Sequence, residues 1–445
     1  MGIYHFIAIG GIGMSGLAKY LLQEGHTVTG SDIIDSKYVK RLRELGAQVY
    51  IGHSAKNVPE NASVVVSSAI REDNPELIEA QNKGLKIYHR SDLLKELAKI
   101  AQKDGKIFIG FSGTHGKTTT SGMCSYVLDK AGLNPSFVDG GIVPELNTNA
   151  QFKDGKFFIA ELDESDGTII KYSPDILVIN NLEEDHVDFY KNGLSDLVKT
   201  FKKEISKSKK VIVNNDNTGI QSLKGDFITF GLNNADYVAE NIIQEKSGTK
   251  FTIRYKGDVL VDINIQLSGI HNVYNTLAVI ASLNEAGVSL AKIKDYFYSF
   301  TGMGRRFQKV CELNGIEVFD DYAHHPTEIK ATLDAAASKY GKDNIVAVFQ
   351  PHRYTRLKGL WNEFKDSFNE AGRVIVTDVY AASEDPIEGI SGDIFSSDLN
   401  GSEYLSGSIG DVARKLLPTL HSGNVVIGLG AGTITSLGKE LEKQI

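Results

Sequence analysis

The chain has 445 residues, 41% of them hydrophobic and 23% charged, with a formal net charge of −8. That length suits two to four domains rather than one core, and the ordinary composition excludes a disordered or fibrous chain. The acidic balance argues against a protein that coats nucleic acid or an anionic membrane, so any anionic ligand must be met by local groups.

The first hundred residues alternate β-rich runs (YHFIAI, HTVTG, AQVYI, SVVVSSA, LKIYH) with helical patterns (GMSGLAKYLLQEG, KYVKRLRELG), the order of a parallel sheet wrapped by helices. A lysine-rich helical stretch, LLKELAKIAQKDGK, leads into a new strand at Ile107, which places a boundary near residue 100. The central part carries FFIAELDESDG, DILVINN and KVIVNND as strand-to-loop elements, then a β-rich patch (FITFG, FTIRYK, VLVDINIQL) closed by the helix NVYNTLAVIASLNEAG. After FTGMGRRF the alternation restarts with IEVFDDY, NIVAVFQ, RVIVTDV and VVIGLG. The expected class is therefore α/β in three domains, at 1–100, 101–300 and 301–445. Cys124 and Cys311 have no C-x-x-C spacing, which leaves no zinc signature and suits a reducing compartment. The start shows no signal-peptide pattern, Phe6 stands where a myristoylation signal needs Ser or Thr, and no apolar run nears the ~20 residues of a membrane span. A cytoplasmic location without a membrane partner is expected.

Two glycine turns carry the chemistry. At the first, Gly11, Gly13 and Gly16 satisfy G-x-G-x-x-G after a strand, which allows a tight turn, close approach of a pyrophosphate and close helix packing; Asp32 then stands where an acid can hold a ribose hydroxyl. That turn fits NAD, another pyrophosphate-linked nucleotide, or a turn with no ligand. The second is IFIGFSGTHGKTTT at 107–120, where the amides of a helix start can cradle phosphate, Lys117 can reach its β/γ end and the Thr118 hydroxyl can sit on Mg²⁺. It departs from G-x-x-x-x-G-K-[ST], because Phe111 occupies the first glycine position. A simple dehydrogenase has no use for the second loop and a simple ATPase none for the first, so together they suggest one nucleotide-linked substrate and one ATP.

Further along, Glu161 and His186 lie in acid-rich segments at strand ends, where Mg²⁺ ligands belong, with solvated loop charges as the alternative reading of these acids. Asn272 and Asn275 either form a capping turn or present amides to a purine edge. In the last third Arg305 stands out in GRRF, while Asp321 and Tyr322 with His324, and Arg353 with Arg356, lie in segments that follow apolar strands. Arg353 and Arg356, at i and i+3, can share a helical face as a clamp for carboxylate or phosphate, with surface ion pairing as the alternative. The terminal GLGAGT is explained by helix packing.

With these residues assembled, the chain resembles the Mur ligases over its full length: GIGGIGMSG, SGTHGKTTT, ELDESDG, NLEEDHVD, SGIHNVYN, GRRF, DDYAHHP and QPHRYTR stand in family order, and GIGMSG with the YAHHP/HRYTR pair favours the alanine-adding branch. The resemblance implies an N-terminal Rossmann-like UDP-binding domain, a central P-loop ATPase-type domain and a C-terminal Rossmann-like domain that closes over ATP. It implies ATP-dependent ligation of L-alanine to the lactyl carboxylate of UDP-N-acetylmuramate in peptidoglycan precursor synthesis, with Mg²⁺ (or Mn²⁺) as cofactor, no nucleic-acid partner, and a monomer or homodimer. The alternatives are a related ligase that attaches recycled murein peptide and, in another class, a nicotinamide-dependent dehydrogenase. Residue by residue, it implies that Gly11, Gly13, Met14, Ser15, Asp32, Ser67 and Ser68 meet the UDP portion. Gly113, Thr114, His115, Gly116, Lys117, Thr118, Thr119, Asn272, Asn275, Arg305 and Asp321 meet ATP. Thr118, Glu161 and His186 hold metal, while Tyr322, His324, Arg353 and Arg356 line the amino-acid side. Lys117, Glu161, His186, His324, Arg353 and Arg356 form the implied catalytic set. Two features depart from the family pattern: Ser383 stands where glycine is expected, and the carbamylated lysine of some members has no counterpart.

Overall fold

The computed structural model describes residues 1–184, 189–245, 247–382 and 384–445. Near the N-terminus the strands β1 (Ile3–Ile7), β2 (Thr27–Asp32), β3 (Gln48–Ile51), β4 (Ser63–Val66) and β5 (Ile87–His89) alternate with helices α1 (Ile12–Gln23), α2 (Lys37–Glu44), α3 (Pro75–Asn82) and α4 (Arg90–Lys103). All pairings are parallel, in the order β3-β2-β1-β4-β5. Every carboxyl end therefore lies on one edge, and strands are added to one side of β1 and then, from β4, to the other, so the switch between β1 and β4 is the position where such sheets bind ligands. Capping sets the helix starts. Asn74 accepts from the amides of Glu76 and Leu77 ahead of Pro75, and His89 accepts from the Ser91 amide. That cap starts α4 at Arg90, three residues before the apolar periodicity becomes visible at Leu93.

The next sheet contains β6 (Ile107–Ser112), β7 (Ser136–Val143), β8 (Thr148–Gln151), β9 (Phe157–Glu161), β10 (Ile176–Ile179), β11 (Lys210–Asn214), β12 (Ile228–Gly231), β13 (Tyr237–Glu245), β14 (Gly248–Tyr255) and β15 (Asp258–Ile265). Its order is β15-β14-β13-β12-β11-β10-β6-β9-β7-β8. Helix α5 (Lys117–Lys130) follows β6, α6 (Leu194–Ile205) precedes β11, and α7 (Ile270–Glu285), α8 (Leu290–Ile293) and α9 (Tyr296–Ser299) follow β15. Strand β6 runs parallel to both β10 and β9, so their carboxyl ends flank the loop that follows it. The sequence did not mark β7, β8 or β13 as strands. β7 pairs with β9 over Ser136–Val138 and with β8 at Phe137, Val138 and Val143, and the irregular stretch between Val138 and Val143 holds Asp139, Gly140 and Gly141, residues of low strand propensity that mask the strand in the sequence.

The last sheet is β16 (Gln308–Leu313), β17 (Ile316–Asp321), β18 (Ile345–Phe349), β19 (Arg373–Val376), β20 (Ser402–Tyr404) and β21 (Val425–Leu429), with α10 (Pro326–Tyr340) after β17 and α11 (Tyr354–Gly359) after β18. In the order β16-β17-β21-β18-β19-β20 only β16 pairs antiparallel. Along β18, Ile345, Ala347 and Phe349 enter one apolar cluster while Val346 and Val348 enter another, which is why this buried parallel strand is a continuous apolar run. The chain divides into two compact units: Met1–Ile242 with Lys250–Ile265 and Val273–Thr301, and Ile243–Thr249 with Gln266–Asn272 and Gly302–Ile445. The first holds the five-stranded sheet and most of the central one; the second holds the last sheet. Among the described residues no helix is long and apolar enough to cross a membrane.

Candidate functional site

In the first unit, the turn after β1 enters α1 at Gly11, which caps the helix without a side-chain hydrogen bond. The amides of Ile12, Gly13 and Met14 thus have no intrahelical acceptor and form the positive pole of the helix. Two glycines there answer to close neighbours. The Gly10 amide donates to Asp32 Oδ2 at 2.8 Å, and a Cβ on Gly10 would lie 2.9 Å from that oxygen. A Cβ on Gly16 would lie 2.7 Å from Asn149 Nδ2, which donates to the Ile12 carbonyl at 2.6 Å. Asp32 also accepts from the Ile34 amide at 3.0 Å, so it braces the end of β2 against the turn. Met14 and Ser15 are buried, and Ser15 Oγ bonds the Ile12 carbonyl, so their side chains serve packing and only backbone is offered to a ligand. Ser67 and Ser68 follow β4 on the same sheet edge, with Ser68 Oγ 3.4 Å from His89 Nε2.

The second glycine turn joins β6 to α5. Gly113 (φ +123) and Gly116 (φ +81) adopt left-handed backbone that L side chains resist, and a Cβ on Gly116 would meet Asn275 Oδ1 at 2.6 Å. The strand end after β10 holds the turn: the Thr114 amide donates to the Asn181 carbonyl at 3.1 Å and the His115 amide to Asn181 Oδ1 at 2.7 Å. Thr114 Oγ1 accepts from the Glu183 amide, and His115 Nε2 lies 3.4 Å from Glu183 Oε2. Thr119 is buried and Thr118 half-buried. Lys117 Nζ donates to the carbonyls of Gly113 (2.7 Å) and Thr114 (3.1 Å) and to Glu164 Oε1 (3.0 Å). Burial opposes its charge, but Glu164, Asp163 and Glu161 outweigh burial and keep the ammonium protonated. Burial pushes the Glu164 carboxyl up to about 7 despite the ammonium beside it.

Glu161 ends β9, and its Oε2 accepts from the Gly140 amide at 3.0 Å. A Cβ on Gly140 would fall 2.0 Å from that oxygen, so glycine leaves the room the carboxylate occupies. The Glu161 carboxylate and the Thr118 hydroxyl are hard oxygen donors of the type Mg²⁺ accepts. His186 lies outside the described residues, as does Ser383. Asn272 and Asn275 fall inside α7, which begins at Ile270, so the segment forms helix rather than a capping turn ahead of it. Asn272 Nδ2 donates to the Ser268 carbonyl at 2.8 Å.

In the second unit, Arg305, with φ +62, donates to Asp320 Oδ2 (3.3 Å) and to the Gly430 carbonyl (2.8 Å) and lies over the Tyr322 ring at 4.8 Å. Asp321 accepts from the amides of Phe307 and Ala323, both at 2.7 Å, and from Thr332 Oγ1 at 3.2 Å. It therefore pins the Arg305–Phe307 turn to β17; burial, partly offset by Arg306, lifts its carboxyl to about 6. The adjacent histidines separate by role. His325 caps α10 by accepting from the Thr327 amide, whereas His324 Nδ1 lies 3.0 Å from the Tyr322 carbonyl and 3.2 Å from Glu328 Oε2. The His324 ring also meets His352, which stacks on Tyr380 and lies 3.2 Å from Arg356 NH1. Burial first, then His324, Arg356 and Arg353, pushes the His352 imidazole down to about 3. Arg353 (φ +68) is the N-cap of α11, which starts at Tyr354, so it stands outside the helix and does not share a helical face with Arg356 as the spacing predicts.

Family models match the three sheets in turn: "Mur ligase family, catalytic domain" over residues 3–102, "Mur ligase middle domain" over 111–283, and "Mur ligase, glutamate ligase domain" over 305–432. The chain belongs to the Mur ligase family. It is 42% identical to a UDP-N-acetylmuramate–L-alanine ligase of Geotalea daltonii, over 99% of this chain and 97% of that one. The crystal structure of the UDP-N-acetylmuramate–alanine ligase MurC of Thermotoga maritima aligns at TM-score 0.84 with 30% identity, covering 100% and 99%. A murein peptide ligase of Psychrobacter arcticus shares the fold at TM-score 0.73 and 24% identity, covering 100% and 98%. This Mur ligase thus has the three-domain α/β architecture of its family.

Several groups near these clusters escaped the sequence reading. Glu164 stood in the quoted acid run, but its contact with Lys117 is visible only in the fold. Gly430, at the end of β21, and Asp320 hold Arg305 because β21 lies between β17 and β18, an order the sequence does not announce. Asn149 sits in the unmarked strand β8. The quoted QPHRYTR contained His352, whose packing against His324 no spacing rule predicts.

Proposed function

We propose that this Mur ligase joins L-alanine to the lactyl carboxylate of UDP-N-acetylmuramate, using ATP and releasing ADP and phosphate. The full-length 42% identity to a ligase of that name carries the reading. Two glycine turns support it, since a dehydrogenase has no work for the Lys117 loop. An amine cannot expel an oxygen from a carboxylate in water, because that oxygen is a poor leaving group. In the proposed reaction a carboxylate oxygen attacks the γ-phosphorus, ADP leaves, and an acyl phosphate forms. The alanine amine, having lost a proton, then attacks the acyl carbon and expels phosphate.

No enzyme nucleophile is needed, so the residues position anions and meet developing charge. The amides at the start of α1, with Ser67, Ser68 and Asp32 on the same sheet edge, take the UDP portion. The loop at 113–118 takes the ATP phosphates, with Lys117 exchanging its loop carbonyls for β/γ oxygens. Glu161 and Thr118 would hold Mg²⁺, which would neutralise phosphate charge. Asn272, Asn275 and Arg305 are assigned to ATP. Asp321 acts there through the turn it braces. Tyr322, His324, Arg353 and Arg356 take the amino acid; with Nδ1–H donated to the Tyr322 carbonyl, His324 presents Nε2 to the ammonium proton. The domain divisions near residues 100 and 300 belong to the same proposal.

A coupled ADP-release assay with UDP-N-acetylmuramate and L-alanine, L-serine, glycine or a murein tripeptide tests it. ADP release that requires both the nucleotide sugar and L-alanine is expected. Release without the sugar, or with the tripeptide alone, overturns the reading.

A further inference from the structure

The glycine turn at residues 10–16 contains no cationic side chain. The diphosphate of a nucleotide sugar brings about two negative charges, more than the ~0.5 charge of a helix pole can balance. Arg90 lies beside it. It follows β5 directly, so it stands on the same carboxyl edge of the five-stranded sheet as the turn, Asp32 and Ser67. Its guanidinium divides between two neighbours. NH2 donates to Asp163 Oδ2 at 2.9 Å, and NH1 lies 3.4 Å from where a Cβ on Gly13 would sit.

Asp163 is a firm anchor. Its Oδ1 accepts from the Ser165 amide at 3.0 Å. Asp163 is two residues beyond the end of β9 and next to Glu164, the carboxylate that holds Lys117. The side chain of Arg90 is 34% exposed, so a ligand in the turn can reach its free edge.

We propose that Arg90 is a substrate-binding residue whose NH1 edge grips the diphosphate of the nucleotide sugar at the Gly13 turn, while NH2, anchored on Asp163, ties that grip to the strand end beside Lys117. The inference rests on the reading of this turn as a UDP site. It adds the cation which that reading leaves unassigned. Planarity matters: a guanidinium serves two acceptors in fixed directions, whereas an ammonium cannot span both.

Titration calorimetry on the full-length chain, without ATP, separates the possibilities. UDP and UMP are titrated into wild type, Arg90→Ala, Arg90→Lys and Asp163→Asn, with ATP titrated separately. Arg90→Ala is expected to weaken UDP on the order of tenfold or more, the worth of a hydrogen bond to a charged group. UMP should change much less and ATP not at all. Arg90→Lys and Asp163→Asn should fall between wild type and Arg90→Ala. If wild type binds no UDP, the reading of the turn fails. If wild type binds UDP and Arg90→Ala binds it equally, that reading stands and the inference is overturned. Equal losses of UDP, UMP and ATP, together with a lower melting temperature, assign Arg90 to a structural clamp and also overturn it. UDP affinity in Asp163→Asn equal to wild type overturns the anchoring half.

Discussion

Replacing Lys117 with alanine should remove catalysis and disturb stability by two separable routes. Its ammonium is the charged donor of the phosphate loop, and losing one such preorganised donor costs about 3 kcal/mol of barrier, ~10²-fold in rate. The same group is the counter-ion of Glu164; the two side chains are 13% and 1% exposed and 3.0 Å apart. Removing one partner of a buried pair typically costs about 3–5 kcal/mol. That figure is an upper limit here, because Glu164 is already pushed up to about 7 and takes a proton when the ammonium is gone.

The sign follows from linkage. A carboxyl raised in the folded state above its ordinary value of 4.5 binds protons more tightly folded than unfolded, so stability falls as pH rises across that window. Relative to wild type, Lys117→Ala should therefore melt lower at pH 8 than at pH 6. The double variant Lys117→Ala/Glu164→Gln should lose that pH dependence yet stay as slow as the single one. Thermal melts at both pH values and ADP release measured on the same samples report the two effects. Near-normal turnover in Lys117→Ala, or turnover restored by adding Glu164→Gln, refutes the reasoning.

Gly140→Ala places a Cβ 2.0 Å from Glu161 Oε2 and must displace that carboxylate; a higher Mg²⁺ requirement in the ADP assay with an unchanged circular-dichroism spectrum is expected, and an unaltered Mg²⁺ curve counts against the metal role. Glu204 on α6 has both carboxylate oxygens buried without a hydrogen-bond partner, and burial pushes it up to about 8. Its stability penalty grows as pH rises from 4.5 toward 8, so Glu204→Gln should raise the melting temperature at pH 8 and leave it nearly unchanged at pH 4.5; the opposite order disproves the assignment. His352, pushed down to about 3, should show no imidazole titration by NMR between pH 5 and 9, and a midpoint near 6.5 contradicts its burial among cations.

The sequence by itself determined the parts that depend on neighbours along the chain. A glycine turn between an apolar run and a helix is local, so the loop at 113–118 and the turn at 10–16 were legible, as were the strands bounded by Gly, Asn and Asp. Tertiary structure decided what depends on which strands become neighbours. The strand β7 was hidden because Asp139, Gly140 and Gly141 interrupt it; β9 pairs with its first residues, Ser136–Val138, and so brings the Glu161 carboxylate to the Gly140 amide. Arg353 and Arg356 share a spacing but not a helix, because α11 begins only at Tyr354. Arg90 reads as an ordinary helix-start arginine until the parallel order β1-β4-β5 carries it to the edge that holds Gly13, and β9 delivers Asp163 to its other side. Local pattern fixes backbone preference over a few residues; distances between groups dozens of residues apart exist only once the sheets have chosen their order.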